Sequence, residues 1–299
     1  LSQLTSASIV TATGQIFFTL SLGMGIICNY ASYLQPDEDI VTASVATVAL
    51  NEFAEVILAG TSVIPISYAF LGPEGIKGSI GLAFMALPNV FTTMAGGRIF
   101  GAVWFFLLFF AGFTSAIAMY NYLVALLEEE LGVQRKKGAL LIFVLYLIVG
   151  APIAAEGIIT GEANLIYFTE VDNWIGNYLL IVLGLLEVIT LAWLVRDDGL
   201  VEMNKGGLWH VPKWFYKLFH QFLTPICIIV FLGIFTRDYW IAGNFKITPS
   251  YINGIEYMAP WVNAARLVVV VVLIIGFIQT HRAIKRKYKD EIETNKANA

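Results

Sequence analysis

The chemistry-bearing residues of this 299-residue chain sit in apolar surroundings. Residues 14–25, GQIFFTLSLGMG, carry Thr19, Ser21, Gly23 and Gly25 at the middle of an apolar run, and residues 50–60, LNEFAEVILAG, carry Asn51, Glu52 and Glu55. Farther on, Ala111, Thr114, Ser115 and Ala118 recur at helical spacing, and Asp172 stands in FTEVDNWIGN. Hydroxyl, amide and carbonyl oxygens are the ligands that a small hard cation such as Na⁺ prefers, so this inventory points to ion and solute binding rather than covalent catalysis. The chain is accordingly not read as an enzyme.

Each feature has two readings. A helix crossing lipid satisfies its backbone internally, so glycines and hydroxyls at its midpoint fit a helix that unwinds beside a cavity, where transporters hold substrate. The competing reading is a glycine-rich packing face. Asn51 and Glu55 are four apart and share one helix face, with Glu52 about 100° round from Asn51. An ionised group at mid-membrane costs roughly 2.5–3.5 kcal/mol on the lenient scale, so these residues face protein or a wet cavity. A buried hydrogen-bond network that only fixes helix packing satisfies the same requirement. The stripe from Ala111 to Ala118 lies along one face and serves either close helix packing or cation binding. Asp172 by itself reads as a loop carboxylate or a helix N-cap.

The elements that must position these residues are membrane helices. The composition is 58% hydrophobic and 13% charged, with a mean hydropathy of +0.75, outside the range of soluble domains. Seven apolar segments, at about 13–33, 41–71, 98–127, 138–155, 173–195, 214–236 and 257–280, are long enough for a hydrocarbon core of ~30 Å. The formal charge of −4 says little about partners, because the lipid-facing helices contribute almost none of it. Cys28 and Cys227 lie inside apolar runs and read as buried thiols that pack as small hydrophobes. Residues 72–97 are too broken by glycine and proline to span and too apolar for a free loop, which fits a lid dipping back toward the membrane. The cationic stretches at 135–137, 196–217 and 281–289 fall after odd-numbered spans or at the C-terminus, so that a cytoplasmic tail places those loops inside as well. The last two spans offer no chemistry of their own, Arg266 being the one charge inside the final one. The tail 282–289, RAIKRKYK, reads as a stop-transfer or anionic-lipid contact, and nothing resembles a nucleic-acid footprint. The opening residue, Leu1, and the unremarkable residues after it suggest the C-terminal part of a longer protein.

Several strings resemble one family. GQIFFTLSLGMGIICNYASY is similar to the sixth transmembrane helix of the neurotransmitter:sodium symporters, in the branch of bacterial amino-acid transporters typified by the bacterial leucine transporter. The similarity continues through LNEFAEVILAG, LPNVFTTMAGG, WFFLLFFAGFTSAIA, NKGGLWHVP and Thr224–Pro225, long strings in one order over nearly the whole chain. It implies an all-α polytopic membrane bundle holding seven transmembrane helices. Residues 1–196 would be the second inverted repeat of the leucine-transporter fold, family helices six to ten with the lid at about 72–97. Residues 197–281 would be two peripheral helices, and 282–299 a cytoplasmic tail. Helices one to five, half of the binding pocket, would be missing.

Position by position, the resemblance implies that Thr19 and Asn51 belong to a first sodium site. Ala111 through its carbonyl, Thr114 and Ser115 belong to a second. Phe18, Thr19, Ser21, Met24, Ser115 and Met119 would line the substrate pocket, with Phe18 closing its outer side. Asp172 would be the outer-gate carboxylate and Glu129 the cytoplasmic gate, where the leucine transporter has aspartate. Glu55 supplies a resident negative charge where chloride-dependent relatives borrow chloride, which implies chloride independence and makes Glu55 a candidate to carry a proton on the return step. Met24 and Met119 replace a phenylalanine and an isoleucine, and their adaptable side chains suit a larger apolar or aromatic amino acid.

The reading is sodium-coupled symport of a neutral amino acid by alternating access in the cell membrane. A retinal-type pump is disfavoured, because it needs a Schiff-base lysine that residues 257–280 lack and Arg266 does not give up its proton. A non-transporting accessory subunit, or a half-protein that works with a separate chain, is the remaining rival.

Overall fold

A computed structural model of the chain describes residues 6–73, 82–161, 165–247, 249 and 258–289. Its elements are helices, with no strand among the described residues. In chain order they are α1 (Ser6–Thr19), α2 (Ile26–Ala31), α3 (Ile40–Phe70), α4 (Leu82–Thr93), α5 (Gly97–Glu129), α6 (Arg135–Thr160), α7 (Ile166–Val195), α8 (Asp197–Met203), α9 (Lys213–Ile241) and α10 (Ala259–Lys287). Among these α3, α5, α6, α7, α9 and α10 are long and apolar enough to cross a membrane. The seventh expected segment, the first in the chain, is divided between α1 and α2, and the fold class is the all-α polytopic membrane bundle that the sequence indicates.

Two boundaries differ from the hydropathy reading. The fifth span was expected from residue 173, yet α7 begins at Ile166, so Asp172 lies inside a helix and not in a loop. The reason is a buried acid: Glu156 of α6 accepts hydrogen bonds from the backbone amides of Ile166 at 2.7 Å and Tyr167 at 2.9 Å. These are two of the donors that a helix start leaves open. At the other end of the chain, α10 continues through the basic residues to Lys287, so the cations occupy its last turns, where the helix dipole favours them.

The chain divides into two compact units. One comprises Leu1–Pro36, Tyr120–Met203 and Val211–Ala299. Its centre is α7, which packs on α1 and α9 along its length and on α10 at its start. Tyr167, Leu180 and Ile181 of α7, Ile228 of α9, and Val262, Ala265 and Val269 of α10 are buried there. The three α10 residues follow at spacings of three and four, a single stripe turned to α7. Lipid tails are as apolar as these side chains, so close packing and polar contacts between helices hold such a unit together.

The other unit comprises Asp37–Met119 and Asn204–His210. Within it α4 packs on α3, with Leu87 and Val90 buried and Phe91 lying 6.4 Å from the Trp104 ring of α5. The expected lid therefore contains a short apolar helix, while its residues 74–81 lie outside the described residues. Asp39 caps α3: its carboxylate accepts from the Thr42 amide at 3.0 Å, the Thr42 hydroxyl at 2.7 Å and the Leu208 amide at 3.2 Å. Those bonds, led by the Thr42 amide, hold the carboxyl below the usual range for aspartate. The most apolar stretch of α5 has no buried residue, leaving a surface that only lipid or another apolar protein face can cover.

Candidate functional site

The first helix breaks where its glycines and hydroxyls stand. α1 ends in a Schellman motif: the Leu22 amide reaches the Phe17 carbonyl at 2.9 Å, and the Ser21 amide reaches Phe18 at 3.0 Å. Ser21 takes the left-handed conformation (φ 55°) that this motif requires. Gly23 and Gly25 follow with φ of 74° and 70°, and α2 starts immediately after Gly25. Phe18 and Thr19 thus close α1, while Ser21 and Met24 lie in the unwound link.

The link is seated on α7. Buried Gly23 donates its amide to Glu187 Oε2 at 3.0 Å. A Cβ at Gly25 would fall 2.4 Å from the Tyr122 hydroxyl of α5, so both the left-handed turn and the available space demand glycine there. Glu187 was not among the residues drawn from the sequence. Its signal is plain in hindsight: it is the one acid in the apolar stretch LIVLGLLEVI, and an ionisable residue inside a span is a functional candidate by default.

The remaining expected ligands fall on α3 and α5. Asn51 precedes a π-helical stretch, Phe53–Gly60, that contains Glu55. Asp172 opens a second such stretch, Asp172–Leu179. Further widened stretches, at Leu82–Ala86, Thr190–Val195 and Lys217–Leu223, carry none of the expected site residues. On α5 the Thr114 hydroxyl donates to the Phe110 carbonyl at 2.9 Å and the Ala111 carbonyl at 3.1 Å, which places the Ala111 and Thr114 oxygens side by side. Ser115 and Met119 continue that helix. Phe18, Thr19, Ser21, Met24, Asp172 and Glu129 belong to the unit built on α7, and Asn51, Glu55, Ala111, Thr114, Ser115 and Met119 to the unit containing α3.

Each expected gate residue has a defined setting. Asn177 Nδ2 donates to Asp172 Oδ2 at 3.3 Å and to the Asp172 carbonyl at 3.2 Å. A Cβ at Gly14 of α1 would meet Asn177 Oδ1 at 3.3 Å, so Asp172 stands close to α1. Glu129 is exposed at the end of α5. Its neighbours are paired, Glu128 with Arg135 at 3.1 Å and Glu130 with Lys287 at 2.9 Å. Arg135 also donates to Asn121 Oδ1 at 2.7 Å, and Asn121 donates to the Tyr33 hydroxyl at 3.5 Å. This polar cluster was invisible in the sequence, because its members come from four segments.

Two expectations need correction. The last two helices do carry polar structure, since Arg266 bonds Glu170 of α7 and two backbone carbonyls. The cysteines are not buried: Cys28 is exposed and Cys227 half-buried.

Comparison with known proteins bears on the family of the chain. A sequence profile of the sodium:neurotransmitter symporter family matches residues 1–285. An uncharacterized sodium-dependent transporter of Methanocaldococcus jannaschii is 33% identical over 252 residues, covering 80% of this chain and 49% of that protein. One from Bacillus subtilis is 31% identical over 239 residues, covering 77% and 52%. The sodium-dependent nutrient amino acid transporter 1 of Drosophila virilis is 24% identical over 276 residues, covering 84% and 39%. The chain spans about half the length of the prokaryotic relatives it matches. With a profile match over residues 1–285, the chain belongs to the sodium:neurotransmitter symporter family.

Proposed function

We propose that this protein takes part in sodium-coupled, chloride-independent symport of a neutral apolar or aromatic amino acid by alternating access. The observation that carries the reading is the break between α1 and α2. A helix that only needed a close packing face has no use for a link whose amide is held by a membrane-embedded carboxylate, Glu187 on Gly23. A binding helix does, because its freed backbone groups are then oriented before the ligand arrives.

On this reading Thr19 and Asn51 hold one sodium ion, and Ala111, Thr114 and Ser115 hold a second. Phe18, Thr19, Ser21, Met24, Ser115 and Met119 border the amino acid. Asp172 and Glu129 serve the outer and inner gates, and Glu55 balances the ionic charge. The names of the Drosophila relatives, sodium-dependent nutrient amino acid transporters, support an amino acid as the substrate.

The test is sodium-dependent binding of labelled amino acids by the transporter as the cell makes it. Asn51→Ala is expected to weaken amino-acid affinity and to flatten its sodium dependence together, because the lost amide oxygen coordinates an ion that the substrate carboxylate also faces. Amino-acid affinity that stays constant from zero to saturating sodium would overturn the mechanism.

A further inference from the structure

Glu170 and Arg266 form an ion pair to which the transport reading assigns no role. Glu170 lies in the first turns of α7 with a side chain 2% exposed, and Arg266 reaches it from α10 with 20% exposed. Arg266 Nε donates to Glu170 Oε1 at 2.5 Å, and its two terminal nitrogens donate to the carbonyls of Lys246 at 2.5 Å and Asn244 at 2.7 Å. The Trp174 indole donates to the same carboxylate oxygen at 2.8 Å, and its ring meets Phe245 at 5.5 Å and Tyr239 at 6.4 Å. One guanidinium therefore ties together the start of α7, the first turns of α10 and the turn that follows α9.

Stability is a poor explanation for this arrangement. Desolvating such a pair costs several kcal/mol per ion, and apolar residues of similar size hold helices together at least as well. The pair adds direction, because a planar guanidinium fixes its acceptors in one plane, which an ammonium cannot do.

The residue that direction serves is two positions away. Asp172 is confined by its own helix: Asn177 holds it by two hydrogen bonds, and a Cβ on Gly176 would stand 2.3 Å from Asp172 Oδ1. A small rotation of the first turns of α7 would carry Asp172 with it and so change the direction in which its carboxylate points.

We propose that Arg266, acting through Glu170, is a positioning residue for the outer gate: it fixes the start of α7 and so the direction in which Asp172 presents its carboxylate. The proposal rests on the transport reading, in which Asp172 retards escape of the bound amino acid.

The experiment times the release of pre-bound tritiated leucine, and separately tritiated tryptophan, in sodium buffer. It compares the transporter as the cell makes it with Arg266→Lys, Glu170→Gln, Asp172→Asn and the double variants, recording the melting temperature of each. Arg266→Lys is expected to quicken release by about tenfold, the factor that about 1.4 kcal/mol produces. Combined with Asp172→Asn it should add nothing, because no gate carboxylate remains to be positioned. Where Arg266→Lys does not fold, Glu170→Gln, which keeps the shape and removes the charge, carries the same comparison. A folded variant with a lowered melting temperature and unchanged release overturns the proposal, as do effects that multiply in the double variants. An unmodified protein that retains neither amino acid in sodium defeats the transport reading itself, and this shows before any variant is made.

Discussion

At the scale of single residues, the acids inside the helices divide by what they touch. Glu55 was selected from the sequence because a carboxylate within a span demands an explanation. If it supplies the charge that chloride supplies elsewhere, amino-acid uptake should be indifferent to replacing chloride with gluconate, and Glu55→Gln should make uptake fall in the gluconate buffer. Glu187 satisfies the buried Gly23 amide. Glu187→Ala is expected to cost about 1–3 kcal/mol, the penalty for a buried donor left unsatisfied. Glu187→Gln, which keeps an acceptor oxygen, should cost less. Thermal unfolding in detergent measures both, and equal losses would show that the Gly23 contact does not set the stability of the link. The polar residues at 51 and 55 and at 111 to 115 were legible because they stand out against apolar neighbours. Glu187 stands out equally, yet its role depends on a partner 164 residues away.

At the scale of elements, the starts of α3 and α7 are decided by carboxylates. Glu156, 1% exposed, closes two amides at the start of α7, so Glu156→Ala should lower stability by about 1–3 kcal/mol for each amide it orphans. Hydrogen exchange at Ile166 and Tyr167 should quicken in that variant, and unchanged protection there would contradict the assignment. Asp39 acts on α3 and on residue 208 together. Its carboxyl titrates below its ordinary value, led by the Thr42 amide, so its contribution is present above the unfolded aspartate pKa of about 3.9. That contribution is lost as the pH falls through the lower folded value. Exchange protection at Thr42 and Leu208 should therefore decline in the acid range for the native chain, and be weak at every pH in Asp39→Ala. Hydropathy placed α7 seven residues late for the same reason: residues 166–172, with two acids among them, look like a loop until Glu156 is seen to close the Ile166 and Tyr167 amides, Arg266 to pair with Glu170 and Asn177 to hold Asp172.

At the scale of the whole molecule, the transport reading has a thermodynamic consequence independent of any single contact. If sodium raises amino-acid affinity by some factor, the amino acid must raise sodium affinity by the same factor, commonly about 5–150-fold. Two titrations, each ligand at zero and saturating levels of the other, should return one coupling constant. A sodium affinity indifferent to the amino acid would separate the ion from the substrate and leave the rival reading, an accessory subunit, in place.

The sequence by itself determined the fold class, most of the membrane spans and the break in the first of them. Those follow from local causes: the length of apolar runs, and glycines and hydroxyls where a helix in lipid cannot continue undisturbed. The tertiary structure alone decided which carboxylates complete the backbone, that Ser21 takes the left-handed cap position, that Asp172 lies within a helix, and that Arg266 is committed to Glu170, 96 residues away. A polar group inside a membrane protein takes its meaning from the partner that replaces water around it, and that partner is chosen by packing between helices far apart in the chain.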